Sequence, residues 1–307
     1  MRAWRWLRSL IVIYQDPLAY LLGIEGSALL DAWAGDHDQA FVEDRVAEIR
    51  RLLADGKLQN RGLLAERVAA DVAYQQQAPD YDANAGGGLF AIDEPVITEW
   101  LAHCEVGVAL DAACGTGRFA RILADLGHTV IGVDESPDML ELARERVPEG
   151  DLQLGSVDRL PLADRSVDVV VCALALVHVS DLGPVFAEFA RVLSPGGALL
   201  ISDVHRELTT IGSGIKGLGP DGERRLAPAF RHPLGDYLRA ALAAGLELRG
   251  CEEPALHLDD SPLPKPSTEI GDWPAWPWSL MAYVPEATRA VSGRPQLLLL
   301  HFAQPAS

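Results

Sequence analysis

The stretch Val108-Ala-Leu-Asp-Ala-Ala-Cys-Gly-Thr-Gly-Arg-Phe-Ala120 decides how the rest of this chain reads. An apolar run suited to a buried strand ends at Asp111, a Gly115-Thr-Gly117 turn follows, and Arg118 to Leu126 has the pattern of a helix. The two glycines remove Cβ atoms where the chain bends, so a ligand can lie against the backbone. Unpaired amides at the helix start offer donors to that ligand. A strand, glycine turn and helix in this order place a nucleotide-like ligand at the carboxyl edge of a parallel sheet. The glycines alone also fit the dinucleotide pattern G-x-G-x-x-[GA], and they fit a purely structural strand end.

The next segment narrows the choice. His128-Thr-Val-Ile-Gly-Val-Asp134 is a second short apolar strand ending in an acid, with Glu135 beside it. Ser136 supplies an N-cap and Pro137 a first-turn proline for a helix beginning at Asp138. A carboxylate at the tip of the second strand is placed to accept from ribose hydroxyls. A third strand, Leu152-Gln-Leu154, precedes Gly155-Ser-Val-Asp-Arg-Leu-Pro-Leu162, and a fourth runs from Val169 to Leu174. A helix over Leu182–Leu193 ends in Ser194-Pro-Gly-Gly197, and a fifth strand rises from Ala198 to Asp203.

These ordered pieces resemble the class I S-adenosylmethionine-dependent methyltransferases, and within them the small-molecule group that includes the ubiquinone/menaquinone-type enzymes. Leu110 to Gly117, Gly132-Val-Asp134, Ser136 with Met139-Leu140, Leu160-Pro161, Asp168 to Val171 and Leu193 to Gly197 carry the likeness, over roughly Tyr74 to Glu207. The resemblance implies an α/β, Rossmann-like sheet of seven mostly parallel strands with an antiparallel last strand and helices on both faces. It implies that Gly115 and Gly117 face the methionine part of S-adenosyl-L-methionine, with Asp111 holding the glycine loop. It implies that Asp134 and Glu135 bind the ribose and that Met139 packs on the adenine; a lone methionine on an amphipathic helix also reads as core. Ser156, Val157 and Ala173 would lie along the cofactor, and Tyr81 would lean over it. Related enzymes usually carry Asp where this chain has Ser156, and a hydroxyl accepts without charge assistance.

Composition bounds the partners. The 307 residues carry 26 basic and 44 acidic side chains, a net charge of −18, with no Lys/Arg stripe. A polyphosphate partner such as RNA or DNA needs neutralising cations, so nucleic acid is excluded in favour of a small-molecule substrate. Cys104, Cys114, Cys172 and Cys251 form no C-x-x-C pair and read as reduced, buried small hydrophobes in a cytoplasmic protein, with no metal.

The chain divides into a helical extension over residues 1–76 and a catalytic domain over 77–307, with a Pro/Trp-rich insertion at about 255–278. Trp4 and Trp6 sit among arginines, yet the following apolar run is broken by Gln15-Asp-Pro17 and is short of the ~20 residues a bilayer span takes. Leu18–Trp33, Ala40–Leu53 and Leu63–Tyr74 read as amphipathic helices that cover the core or pair with a second copy. Tyr81 to Gly88 reads as a linker or a mobile lid. His232 to Leu242 reads as a helix, Gly245 to Pro254 as strand six and Gln296 to Phe302 as the last strand. Trp273, Trp276 and Trp278 either line a pocket for an apolar or aromatic substrate or staple the insertion down.

Transfer of a sulfonium methyl is an in-line displacement whose main need is alignment of the acceptor. A base matters where the acceptor must lose a proton, and His178 and His205, after the fourth and fifth strands, are the candidates. Two other readings stay open: a nicotinamide-dependent oxidoreductase using the same turn, and an S-adenosylmethionine-binding protein of the same fold that catalyses a different reaction, such as a cyclisation.

Overall fold

A computed structural model describes residues 12–74, 88–212, 214–255 and 262–306. The expectations placed on Trp4, Trp6, Tyr81 and the glycines before Gly88 fall outside those residues. Two compact units emerge, each threaded by separate pieces of the chain.

The larger unit comprises Ala70–Thr209, Ala229–Pro254 and Pro295–Ser307. It begins with the helix Ala70–Tyr74 and then α1 (Phe90–Leu101). There follow β1 (Val108–Ala112), α2 (Arg118–Asp125), β2 (Thr129–Asp134), α3 (Pro137–Arg146) and β3 (Asp151–Leu154). Next come β4 (Val167–Ala173), α4 (Leu182–Val192), β5 (Leu193–Val204), α5 (Leu234–Ala243), β6 (Glu247–Glu252) and β7 (Leu297–Ala303). The sheet has the order β3-β2-β1-β4-β5-β7-β6. Strands β1 to β5 pair in parallel, and β7 runs antiparallel between β5 and β6.

Alternation along the strands explains why both faces are covered. Val170 and Cys172 of β4, with Leu199 and Ile201 of β5, point to one side, where they meet Phe186 and Phe189 of α4 and Tyr237 of α5. Val169, Val171 and Leu200 point to the other and meet Ile97 of α1 with Phe119 and Leu123 of α2. Strands buried on both faces read as unbroken apolar runs, the pattern of a parallel sheet. The strand order reverses between β1 and β4, which makes the carboxyl edge beside β1 the ligand crevice of such a sheet.

The smaller unit takes Met1–Ala69, Thr210–Pro228 and Ala255–Arg294. Two helices lie close to the expected spans, at Pro17–Ala34 and Gln39–Ala54. The third expected helix, Leu63–Tyr74, is corrected: Leu63–Arg67 is a strand and only Ala70–Tyr74 is helical. Val12–Gln15 pairs antiparallel with it and Arg224–Ala227 pairs in parallel, so its backbone partners come from far along the chain. Ile215–Leu218 completes a second sheet of four strands that the sequence did not announce.

The insertion belongs to this smaller unit. Trp273 and Trp276 are buried with Leu21, Ile24, Leu52 and Tyr283, and they staple rather than expose the segment. The Trp273 indole donates to Gln15 Oε1 at 3.0 Å and the Trp276 indole to the Ile270 carbonyl at 2.9 Å. Trp278 alone of the three is exposed. The cysteines also differ from expectation: Cys114 and Cys172 are buried, Cys104 is half-buried and Cys251, on β6 beside the sheet edge, is exposed; all four are free thiols. Among the described residues no helix is long and apolar enough to cross a membrane.

Candidate cofactor site

The glycine turn is held by carboxylates of the strands on either side of it. Gly115 and Gly117 adopt φ of +53° and +82°, a region costly for a residue bearing a Cβ. At Gly117 an added Cβ would also press on Ala143 of α3 at 3.3 Å, so this glycine lets α2 and α3 approach. At Gly115 an added Cβ would meet nothing within 4 Å. The backbone there faces open space, as a ligand lying against the chain requires.

Gly117 caps α2 without a side chain, so the helix borrows an acceptor from elsewhere. Asp111, buried near the end of β1, takes the Ala120 amide at 2.7 Å. It therefore anchors the first turn of the helix, one step beyond the loop it was expected to hold. Burial raises its carboxyl to about 7, opposed by the Ala120 amide and Arg118. Thr116 is buried and its hydroxyl accepts from Arg146 at the end of α3, at 3.0 Å.

Asp134 at the tip of β2 spans the turn and the next helix. One oxygen accepts the Gly115 amide at 2.8 Å and the other the Ser136 amide at 2.8 Å. A carboxylate has about four lone-pair sites. Acceptor capacity therefore remains on Asp134 for a hydroxyl of a ligand. Burial raises its carboxyl above the usual range, and the amides of Ser136, Gly115 and Glu135 hold it down. Ser136 caps α3 by accepting from Met139 at 3.3 Å. Glu135 is exposed beside this latch, and Met139 is buried on α3.

The remaining expected residues lie along the same edge. Ser156 and Val157 follow β3 in a tight turn, closed by a Ser156–Arg159 bridge, and Val157 packs on the core. Ala173 ends β4. His178, in the turn after β4, is held neutral by burial, its ring lowered to about 4. His205 follows β5; its Nδ1 accepts from the Glu207 amide at 3.1 Å and its Nε2 faces Glu253 Oε1 at 3.0 Å. To take a proton from an acceptor, this ring has to release the Glu207 amide.

One element of the site was missed. Arg118, the first residue of α2, forms a two-pronged ion pair with Asp93 of α1, at 2.9 and 2.7 Å. Its guanidinium lies 4.4 Å from the Phe90 ring and 4.2 Å from the Phe119 ring. Asp93 is fully buried and also accepts from the Ser202 hydroxyl at 3.0 Å, near the end of β5. The signal was present in the spacing: Asp93, Ile97 and Leu101 recur every fourth residue, so an acid sits in an apolar stripe.

The comparisons with known proteins agree with this geometry. Residues 110–201 match the family model described as a methyltransferase domain. The chain is similar to the malonyl-[acyl-carrier protein] O-methyltransferase of Yersinia pestis, 44% identical over 95 residues, covering 31% of this chain and 36% of that protein. It is also similar to the Serratia marcescens protein of the same name, 34% identical over 147 residues, covering 42% of this chain and 55% of that one. The chain thus spans about a third to just over half the length of these curated relatives. Among solved structures, a complex of the Haloferax volcanii Trm112 methyltransferase activator includes a similar chain, at TM-score 0.54 and 22% identity, with 77% of this chain and 96% of that one covered. That likeness is one of fold.

Sheet order, glycine turn and strand-tip acid define a Rossmann-like nucleotide-binding protein. More narrowly, residues 110–201 match a methyltransferase domain, set on a sheet of the class I, S-adenosylmethionine-dependent kind. S-adenosyl-L-methionine is the cofactor this domain implies, and the open face at Gly115 with the spare acceptor sites of Asp134 fits it.

Proposed function

We propose that the whole protein transfers the methyl group of S-adenosylmethionine to a small-molecule acceptor. The observation that carries this reading is the latch of Asp134 on the Gly115 amide, with open space before Gly115, at the carboxyl edge of β1 and β2. When bound, the cofactor supplies a methyl group already activated by its sulfonium. The chain's own task is then alignment. The glycine turn and Asp134 orient the nucleoside, and the turn after β4 together with His205 after β5 borders the acceptor side.

An acceptor oxygen that arrives ionised needs no base, and the relatives' printed name describes O-methylation. This suits a site where His178 is kept neutral by burial and is a weak base, and where both ring nitrogens of His205 are engaged. A proton-bearing acceptor would call on His205 after release of the Glu207 amide. The net charge of −18 supports a small acceptor over nucleic acid. The four free thiols support a reducing, cytoplasmic setting. Pairing of two copies through the N-terminal helices has Leu30 and Trp33 in its favour, both exposed on Pro17–Ala34, and sedimentation tests it.

Titration calorimetry with S-adenosylmethionine, S-adenosylhomocysteine and NAD(P) tests the cofactor. Transfer of label from methyl-labelled S-adenosylmethionine into a metabolite extract tests the reaction. Binding of NAD(P) with no binding of either sulfur nucleoside would overturn it.

A further inference from the structure

Behind the carboxyl edge of β4 and β5 lies a buried group that the cofactor site does not use. Asp203, near the end of β5, has no solvent exposure. The Tyr237 hydroxyl of α5, itself buried, donates to its Oδ2 at 2.5 Å, and the Val204 amide donates to its Oδ1 at 2.9 Å. The Val177 amide faces this carboxylate and favours its charged form. Val177 lies in the turn Leu176–His178 that follows β4.

The same turn is held at two more points by the segment leading into α5. The Phe230 amide donates to the Val177 carbonyl at 2.7 Å. The His232 Nε2–H donates to the Val179 carbonyl at 2.7 Å. The His232 ring meets the Tyr237 ring edge-on, with centroids 5.8 Å apart, and stacks on Phe230 at 5.9 Å. The Leu174 amide bonds the Ser202 carbonyl at 2.7 Å, and Leu174 takes φ of +56°, a strained value for a leucine. A strained turn persists only where its surroundings over-determine it, and here the Leu174 amide and the Val177 and Val179 carbonyls are tied to neighbouring segments.

We propose that Asp203, Tyr237 and His232 are positioning residues that set the Leu174–Val179 turn and so place the methyl acceptor against the cofactor. The inference rests on the methyltransferase reading of the same sheet edge. It assigns the three side chains to the acceptor rather than to the nucleoside, whose expected contacts lie at β1, β2, β3 and, with Ala173, the end of β4. None of the three touches the reacting atoms; they act through the backbone of the turn.

The clamp is sensitive to protonation of its centre. The groups facing Asp203 are Tyr237 from α5, His232 before α5, Cys172 from β4 and the amides of Val177 and Val204. Burial raises the Asp203 carboxyl to about 6, while the Tyr237 hydroxyl, the two amides and the nearby His232 lower it. Removing the hydroxyl therefore moves this titration upward. A protonated carboxyl accepts the amides without charge assistance, and the turn loosens.

The test uses the full chain, S-adenosylhomocysteine as the binding probe, and hydrogen exchange of the Leu174–Val179 amides at several pH values. Tyr237→Phe is expected to leave S-adenosylhomocysteine affinity within about twofold. Protection of the turn falls at least tenfold, and the pH at which protection is lost moves upward. His232→Ala lowers protection likewise, and His232→Gln, whose amide can still donate to Val179, restores it. Labelled methyl transfer into the extract falls at least tenfold in Tyr237→Phe, its acid limb displaced in the same direction. Unchanged protection, an unmoved pH step, or affinity falling in parallel with protection would overturn the proposal. The exchange measurement decides by itself if the extract holds no acceptor. Absence of S-adenosylhomocysteine binding in the unaltered protein would instead count against the methyltransferase reading.

Discussion

A strand-tip carboxylate that accepts backbone amides can hold a turn and still offer lone pairs to a ligand. Asp134 holds the Gly115 turn and the start of α3, and the proposed function gives its spare lone pairs to a ribose. Charged hydrogen bonds contribute about 1.5–3 kcal/mol each, so Asp134→Ala should weaken S-adenosylhomocysteine roughly ten- to a hundredfold in calorimetry. Unchanged affinity would remove the residue from the site. This residue was legible because an acid closing an apolar run after a glycine turn is a local pattern. Asp203 was not legible in the same way. It also closes an apolar strand, but its partners Tyr237 and Val177 lie 34 and 26 positions away, and only the packed sheet brings them together.

At the scale of elements, the join between α1 and α2 rests on a charge pair. Arg118 is mostly covered and Asp93 wholly so, and both oxygens of Asp93 face the guanidinium. Deleting one partner of a buried pair leaves an uncompensated charge and costs about 3–5 kcal/mol. Arg118→Ala should therefore lower stability in urea unfolding by that order. Asp93→Ala in the Arg118→Ala background should add little further loss, so the two changes are strongly non-additive. Independent, additive losses would show that the pair does not couple the helices. The helices themselves could be read from apolar spacing, as at Pro17–Ala34 and Leu182–Val192. Leu63–Arg67 could not, because two leucines near a later Val68 and Val72 suit a helix as well as a strand. Pairing with Val12–Gln15 and Arg224–Ala227 settled it.

The whole molecule folds with acids it would rather keep protonated. Burial raises Asp111 to about 7 and Glu25, beside Arg45, to about 7, and Asp203 goes to about 6. Each holds its proton more tightly folded than unfolded. Their contribution to stability is present below about pH 4 and is lost as pH rises through 6 to 7. His178 works in the opposite sense. Its ring is lowered from 6.5 to about 4, so its contribution is present above pH 6.5 and is lost as pH falls toward 4. Between pH 6.5 and 8 the acids titrate most fully, while the lowered histidines and Lys216, which burial lowers to about 8, oppose them only in part, so unfolding free energy should be higher at pH 6.5 than at pH 8. High salt screens the repulsion of a net charge of −18 but leaves the burial term, so the difference should persist there. Asp111→Asn, which can still accept the Ala120 amide, should reduce it. A flat or rising profile from pH 6.5 to 8 would contradict these assignments.

By itself the sequence determined the class of sheet, the place of the glycine turn and the acid at the tip of β2. Those features are written in consecutive residues, as apolar runs of strand length, glycines at a bend and a cap residue before a helix. The tertiary structure decided what no run of neighbours encodes. It joined the insertion to the N-terminal helices around Trp273 and Trp276, and it paired Arg118 with Asp93 and Tyr237 with Asp203. The physical reason is that burial removes water from a polar group and leaves it to find its partner wherever the packed chain supplies one.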